Sequence, residues 1–440
     1  MMDLRTDAYV EALSAMIRCE TISEPGQKDR TKFRRFQSLL RTLFPQVFSV
    51  CEFEDFDGAF LLRWKGRDEA ALPILFMNHQ DVVEAAGPWK YPPFSATLAD
   101  GKLWGRGTLD TKGGLWAMLQ SAQELIASGF TPAQDIYFES SCDEETDSLT
   151  ADRISQELQR RGIRFRLVMD EGGMIVEEPM AGAKGVFAMI GVAEKNYMDL
   201  KFTARSAGGH ASTPGKNTPL VRLGRFMAEA EDKNVFDAKL SPTTIEMLRR
   251  LAPTMEGPLA KVLADAKAFS HVLEKVMPGV SPTAGAMIRT TLAFTMASGS
   301  EARNVLPQEA YVIGNMRCSH HQGSEGSLAA IRKLADKYDI ETTVLEPGFE
   351  SPVTDFHTDE FRLVENAVRA VFPGVTSAPY VMTGATDARF MRRVCDNCIR
   401  FLPFRVSDAQ VESIHGLDEN IDVCALAPAV DFYKFIMQGG

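Results

Sequence analysis

The chain has 440 residues, enough for two or three domains of ~100–200 residues each. Its 48 Lys and Arg against 59 Asp and Glu leave a formal charge of −11, which argues against nucleic acid as the main partner, because phosphate binding needs a basic face. No apolar run reaches the ~18–20 residues that span a bilayer, the charged start Met1–Asp7 lacks the apolar stretch of a secretory signal, and seven scattered cysteines look unlike a secreted disulfide scaffold. A reducing, cytoplasmic setting is the expectation, with Cys395-Asp-Asn-Cys398 read as buried thiols rather than a zinc or redox pair.

In chain order, the first half alternates strand-like and helical stretches. Ile74–Met77, Asp135–Ser141 and Phe165–Met169 are short apolar runs bounded by breakers. Leu115–Ala127, between the first two, is helical and stops at Ser128-Gly129. This alternation predicts an α/β sheet with parallel strands. The character changes near Gly191. In Tyr197–Arg205, Met198, Leu200, Phe202 and Ala204 alternate with Asp199, Lys201, Thr203 and Arg205, the pattern of a half-exposed strand in an antiparallel or mixed sheet. A helix follows Pro219. Strands are expected around Leu292–Ala297, Ala310–Arg317 and Thr342–Glu346, with a helix before the last carrying Leu328, Ile331, Leu334, Ala335 and Tyr338 on one stripe. The order strand-helix-strand-strand-helix-strand is ferredoxin-like, and a mostly helical insertion at about 235–285 interrupts it. The expected architecture is a split α/β domain (1–191 and 351–440) with a second domain, 192–350, inserted. The C-terminal part runs from Glu360 through the strand-like Asn397–Phe401 to a helix near Ala427–Met437.

The polar residues cluster where predicted strands end. Asn78-His79-Gln80-Asp81 follows the first strand, Gly105–Gly114 opens the long helix, Cys142-Asp143-Glu144-Glu145 follows the second strand, and Asp170-Glu171-Gly172-Gly173 follows the third. Ligands of open parallel sheets bind beyond the carboxyl ends of the strands, so these segments converge on one crevice. It would hold His79 and an excess of carboxylates: Asp110, Glu144, Glu145 and Glu171. Such density repels itself unless cations neutralise it, and this nitrogen and oxygen mix suits Zn²⁺ or a similar divalent ion. Asp81, two residues beyond His79, is placed to orient the imidazole. Adjacent glutamates suit one ligand and one base. Singly, each feature has a plainer reading: a surface His-Asp pair, a solvated Glu-Glu loop, or an aspartate at a helix start. Gly105-x-Gly107 lacks the third glycine of a dinucleotide fingerprint.

The order and wording of these segments resemble the dizinc metallopeptidase family of aminoacylases, carboxypeptidase S, bacterial glutamate carboxypeptidase and succinyl-diaminopimelate desuccinylase, over about residues 70–435. The specific stretches are Gly105-Arg-Gly-Thr-Leu-Asp-Thr-Lys-Gly-Gly114, Gly208-Gly-His-Ala-Ser-Thr-Pro214 and Gly384-Ala-Thr-Asp-Ala-Arg-Phe390. Arg400-Phe-Leu-Pro403, Ile414-His-Gly-Leu-Asp-Glu419 and the helical insertion look nearest to the carboxypeptidase S branch. The resemblance implies a zinc-peptidase-type catalytic domain, with a mixed, mainly parallel sheet flanked by helices, and an inserted ferredoxin-like lid and dimerisation domain. It implies two Zn²⁺, with Co²⁺ or Mn²⁺ as substitutes: Asp110 bridging, His79 and Glu171 on one ion, Glu145 and His415 on the other. Glu144 would be the general base and acid, and His210, in many relatives supplied by the partner subunit, would bind the developing oxyanion. Arg317 and Asn304 would hold the substrate carboxylate, with Gly384 to Asp387, Thr386 among them, lining the pocket. Asn315-Met316 stands before Arg317 where an acidic residue is common. The function implied is hydrolysis of an amide or peptide bond next to a free carboxylate, in a peptide or N-acyl amino acid, by a homodimer that engages neither nucleic acid nor membrane. A catalytically inactive binding or scaffold protein on the same fold is the alternative; candidates intact at every metal and base position weigh against it.

Overall fold

The computed structural model describes residues 4–233 and 235–440; Met1 to Asp3 of the charged start lie outside them. Two sheets organise the chain. In chain order their strands are β1 (Glu52–Phe56), β2 (Ala59–Trp64), β3 (Ile74–Met77), β4 (Ile136–Ser140), β5 (Leu167–Glu177), β6 (Val186–Glu194), β7 (Asn196–Arg205), β8 (Thr291–Ser298), β9 (Glu309–Cys318), β10 (Glu341–Glu346), β11 (Thr376–Met382) and β12 (Cys398–Val406). The larger sheet runs β1-β2-β4-β3-β5-β12-β6-β11. Its centre is parallel, β4-β3-β5-β12, as is the β6-β11 edge pair, while β1, β2 and the β12-β6 contact are antiparallel. The sheet is therefore mixed and mainly parallel rather than wholly parallel.

Strands β3 and β4 are buried at every residue, as expected of central strands covered on both faces. Ile74 and Phe76 point to one face, packing with the helices Leu4–Arg18, Lys112–Ala127 and Leu426–Gln438. Leu75 and Met77 point to the other, toward Leu149–Arg160 and Ala388–Met391. The helix Lys112–Ala127 has buried residues nearly all round, the sign of a helix enclosed by the core.

The smaller sheet is antiparallel, in the order β8-β9-β7-β10. With the helices Pro219–Asp232 and Gly323–Lys337 it has the ferredoxin-like order read from the sequence. The helical insertion comprises Pro242–Leu251, Gly257–Ala264, Ser270–Val280 and Pro282–Ile288. The first and last begin at Ser-Pro words: Ser241 and Ser281 accept from the backbone N–H of Thr244 and Ala284, a serine cap followed by proline at the first helical position. This insertion interrupts the smaller sheet in sequence but shares a core with the larger one. Leu248, Leu251 and Leu273 cluster with Phe187 and Met189 of β6 and Ala378 of β11.

One sequence expectation is corrected. Asp170 and Glu171 do not follow a strand; β5 continues through them to Glu177. The pairing of β5 with β12 shifts register between Asp170 and Gly173, and Gly172 has φ +131°, a conformation that favours glycine. This irregularity re-aims the chain at Glu171, as bulges beside functional sites do.

Candidate metal centre

His79 leaves the end of β3 with its ring buried. Its Nδ1 lies 3.0 Å from the Asp81 carbonyl oxygen and 3.4 Å from Asp81 Oδ1. Its Nε2 lies 2.9 Å from Asp110 Oδ1. Asp81 thus contacts the imidazole through both its carbonyl and its carboxylate, and it does more. Its carboxylate accepts from the backbone N–H of Glu144 (3.2 Å) and Glu145 (3.1 Å) and from Ser23 Oγ (2.7 Å). One buried carboxylate therefore fixes the His79 loop and the Glu144-Glu145 loop together.

Asp110 ends the Gly105–Asp110 loop, just before the helix Lys112–Ala127; the Asp110–Thr111 peptide is cis. The loop is gathered around Glu419. Glu419 accepts from the backbone N–H of Gly107 (3.0 Å), Leu109 (2.7 Å) and Asp110 (3.2 Å), and from Arg106 Nη1 (2.9 Å). A Cβ at Gly113 would lie 2.1 Å from the Thr108 carbonyl oxygen, so the loop closes on the helix only over glycine. Lys112 is buried and donates to the carbonyls of Cys19 (2.7 Å) and Met16 (3.3 Å). Burial lowers its pKa to about 8.

His415 arrives from the far end of the chain. The helix Asp408–Ser413 starts with a Ser407–Gln410 capping box, and His415 follows it in a left-handed conformation, φ 58°. Its Nε2 lies 3.1 Å from Asp110 Oδ2 and 3.0 Å from Glu145 Oε2. Asp110 thus meets one histidine on each oxygen, the arrangement a bridging ligand needs. Ligand atoms of His79, Asp110 and Glu145 all lie within 4.8 Å of one another. Glu145 Oε1 is buried and, among the described residues, without a hydrogen-bond partner, a lone pair that a cation would satisfy. These donors fit a divalent metal of the zinc type.

The electrostatics agree. Burial, and then the Asp110 charge, push Glu145 to about 7. Burial, Asp110, Asp170 and Glu144 raise Glu171 well above the usual carboxylate range, which places Glu171 among the same acids. For Asp110, burial is outweighed by hydrogen bonds from His415 and His79, and its pKa falls. Glu144 is raised by burial and by Asp387 and Glu145, against the opposing effect of His79. Such crowded carboxyls are what cations would relieve.

The substrate-side expectations are placed differently. Thr386 is buried, and its N–H and Oγ1 both donate to Glu194 Oε2 at 2.9 Å. Glu194 in turn pairs with buried Arg400 at 3.3 Å, so the Gly384–Asp387 loop is pinned from behind. Gly384 is exposed. Arg317 Nε donates to Asn315 Oδ1 (2.9 Å), and Asn315 Nδ2 donates to Asp199 Oδ1 (2.7 Å). Asn315 thereby orients the arginine and links it to an acid on the neighbouring strand. His210 is exposed on a two-residue ribbon with Val305, its Nδ1 2.7 Å from Ser212 Oγ. Asn304 is exposed beside it, its carbonyl accepting from Ala211 N–H. Among the described residues, His210, Asn304 and Arg317 make no hydrogen bond or ion pair with the candidate metal group. Sequence reasoning missed Glu419 and Ser23 as positioning residues. A turn with several backbone donors must find acceptors somewhere, but nothing local names Glu419 as the acceptor.

Comparison with known proteins adds the lineage. The profile described as "Peptidase family M20/M25/M40" matches residues 75–439. "N-fatty-acyl-amino acid synthase/hydrolase PM20D1" of Xenopus tropicalis is 30% identical over 98% of this chain and 85% of its own length. "Probable carboxypeptidase S-like 2" of Dictyostelium discoideum is 29% identical over 92% of this chain and 79% of its own. Among solved structures, the M20 family metallo-carboxypeptidase Sso-CP2 from Sulfolobus solfataricus superposes with a TM-score of 0.70 at 14% identity, covering 99% of both chains. Human carnosine dipeptidase 1 gives 0.64 at 16% identity, over 99% of this chain and 97% of its own. At these identities the structures establish the shared fold.

Proposed function

Since the chain belongs to peptidase family M20/M25/M40, and is thus a hydrolase of the metallopeptidase type, we propose that it hydrolyses the amide bond of N-acyl amino acids whose α-carboxylate is free. The observation that carries this reading is the group His79, Asp110, Glu145 and His415, with the half-buried Glu144 beside it. Two Zn²⁺, for which Co²⁺ or Mn²⁺ can substitute, would be held by His79, Asp110 and Glu171 and by Asp110, Glu145 and His415. When bound, they would acidify a water and polarise the scissile carbonyl.

Glu144 takes the proton of the attacking water as its oxygen bonds to the amide carbon. When the C–N bond breaks, Glu144 delivers that proton to the leaving nitrogen. The products are a carboxylic acid and a free amino acid. Asp81 keeps Glu144 in place through the backbone N–H bonds already described. His210, carried in by closure of the inserted domain or by a partner subunit, donates to the developing oxyanion. Arg317, aimed by Asn315, and Asn304 grip the α-carboxylate; a planar guanidinium suits that group. On this reading residues 192–350 are the lid and dimerisation domain, 1–191 and 351–440 are the catalytic domain, and the protein works as a cytoplasmic homodimer. Names of relatives that hydrolyse N-fatty-acyl amino acids favour acyl amino acids over peptides as the substrate class. The test is amino acid release from a panel of N-acyl amino acids and their α-amides. Cleavage of the free acids with loss on amidation supports the reading; cleavage of neither removes it.

A further inference from the structure

Behind the metal group lies a cavity of about 630 Å³ between the helical insertion and the larger sheet. A cavity of about 150 Å³ already holds a benzene ring, so this one has roughly four times that room. The insertion supplies Met247, Leu251, Leu263 and Met277; the sheet supplies Met174, Met189 and Tyr380. Glu178 is its one charged lining residue among those described. Two lining residues tie it to the candidate centre. Gly172 directly follows Glu171, and Ile414 directly precedes His415. The far wall includes Leu259, Val276 and Val280, which are also about half exposed or more. The cavity therefore runs from the metal ligands toward the outer surface of the insertion.

Resting on the hydrolase reading above, we propose that this cavity is the acyl-chain site: it takes a long, unbranched alkyl or alkenyl chain, and the helical insertion is the module that selects chain length. An unbranched chain suits the site for two reasons. The cavity reaches the candidate ligands at Gly172 and Ile414, and among its described lining residues Glu178 alone is charged. Seven of those residues are methionines, flexible side chains that adapt to chains of differing length and unsaturation. Each methylene moved from water into such walls is worth up to about fourfold in binding.

Two fillers test this without touching a ligand: Ala284→Phe, from the short helix Pro282–Ile288, and Met180→Trp, from the partly buried end of the β5–β6 hairpin. Melting curves report whether each variant is folded. The expected result is a kcat/KM for an N-palmitoyl amino acid at least ~100-fold above that for its N-acetyl counterpart, with the ratio falling ~10-fold or more in each folded filler variant. Equal kcat/KM values for the two chains, or a ratio unmoved by both fillers, overturns the proposal. A fluorescent long-chain fatty acid gives a readout independent of turnover. If it binds the wild type and not Ala284→Phe while no N-acyl amino acid is cleaved, the chain site stands and the hydrolase reading falls. If hydrolysis proceeds with no chain preference and no fatty acid binds, the hydrolase reading stands and the chain site falls.

Discussion

Removing the carboxylate of Glu419 should disable the centre from outside it. Among the described residues its hydrogen bonds reach the candidate metal ligands only at the Asp110 backbone N–H, yet it collects three backbone donors and the Arg106 guanidinium in a buried spot. In Glu419→Ala those N–H groups lose their acceptor. Arg106 keeps the Gly416 carbonyl at 2.7 Å but loses its counter-charge. Breaking a buried ion pair from one side costs about 3–5 kcal/mol, a large part of the ~5–15 kcal/mol that stabilises a typical domain. Glu419→Gln keeps the volume and one acceptor oxygen, and should lose about 1.5–3 kcal/mol, the worth of hydrogen bonds to a charged group. Because Asp110 is released with the loop, metal affinity should fall ~10–100-fold, the usual effect of losing a residue that orients a ligand. Urea unfolding of the chelator-treated protein measures the first effect; competition with a chromogenic chelator measures the second. If Glu419→Ala unfolds and binds Zn²⁺ like the wild type, the claim that this carboxylate shapes the Asp110 loop is wrong.

Three further outcomes follow from the geometry. Gly113→Ala forces a Cβ to within 2.1 Å of the Thr108 carbonyl and should cost about 1–3 kcal/mol, the scale of overpacking, with loss of metal binding; an unchanged melting curve and metal content refute it. His210→Ala, at an exposed position, should leave the melting curve alone and lower kcat ~10²–10³-fold; unchanged turnover removes His210 from the reaction. Hydrogen bonds to Asp110 and Glu145 raise His415 to about 10 in the metal-free site, so the folded chain holds this proton longer than the unfolded chain. That contribution is complete below the ordinary histidine value of about 6.5 and is lost as pH rises through about 10. Chelator-treated protein should therefore show a decline in melting temperature over that range which His415→Ala reduces, and an identical slope in the two proteins contradicts the pairing.

The parts of the site legible in the sequence are those whose position is set by a neighbouring element. His79 is readable because a short apolar run stops before it, and Glu144 and Glu145 for the same reason. Asp110 is readable because glycines flank it at a helix start. The ferredoxin-like sheet was legible from alternation in β7, where burial follows the sequence pattern from Tyr197 to Phe202 and departs from it at Thr203, which is buried. What could not be read depends on contacts between distant segments. Glu419 meets its partners across some 310 positions. Glu171 looks like a post-strand acid because Gly172-Gly173 reads as a breaker, whereas the register shift against β12 carries the strand on. The insertion is visibly helical from its Ser-Pro caps and apolar stripes. Periodicity does not say that its apolar face rests on β6 and β11, nor that the packing leaves a cavity beside the centre. The strands β1, β2, β6 and β11 escaped notice, since edge and hairpin partners are chosen by tertiary pairing more than by local pattern.

The central claim is that Glu144 moves the proton in a metal-assisted amide hydrolysis. It is tested most directly by comparing wild type and Glu144→Gln, both reconstituted with Zn²⁺, for turnover of one N-acyl amino acid while metal content is measured on the same samples. The expected result is equal metal content and a kcat lower by ~10²–10⁴-fold in the variant, the range for losing a general base. Full turnover by Glu144→Gln at equal metal content would contradict it.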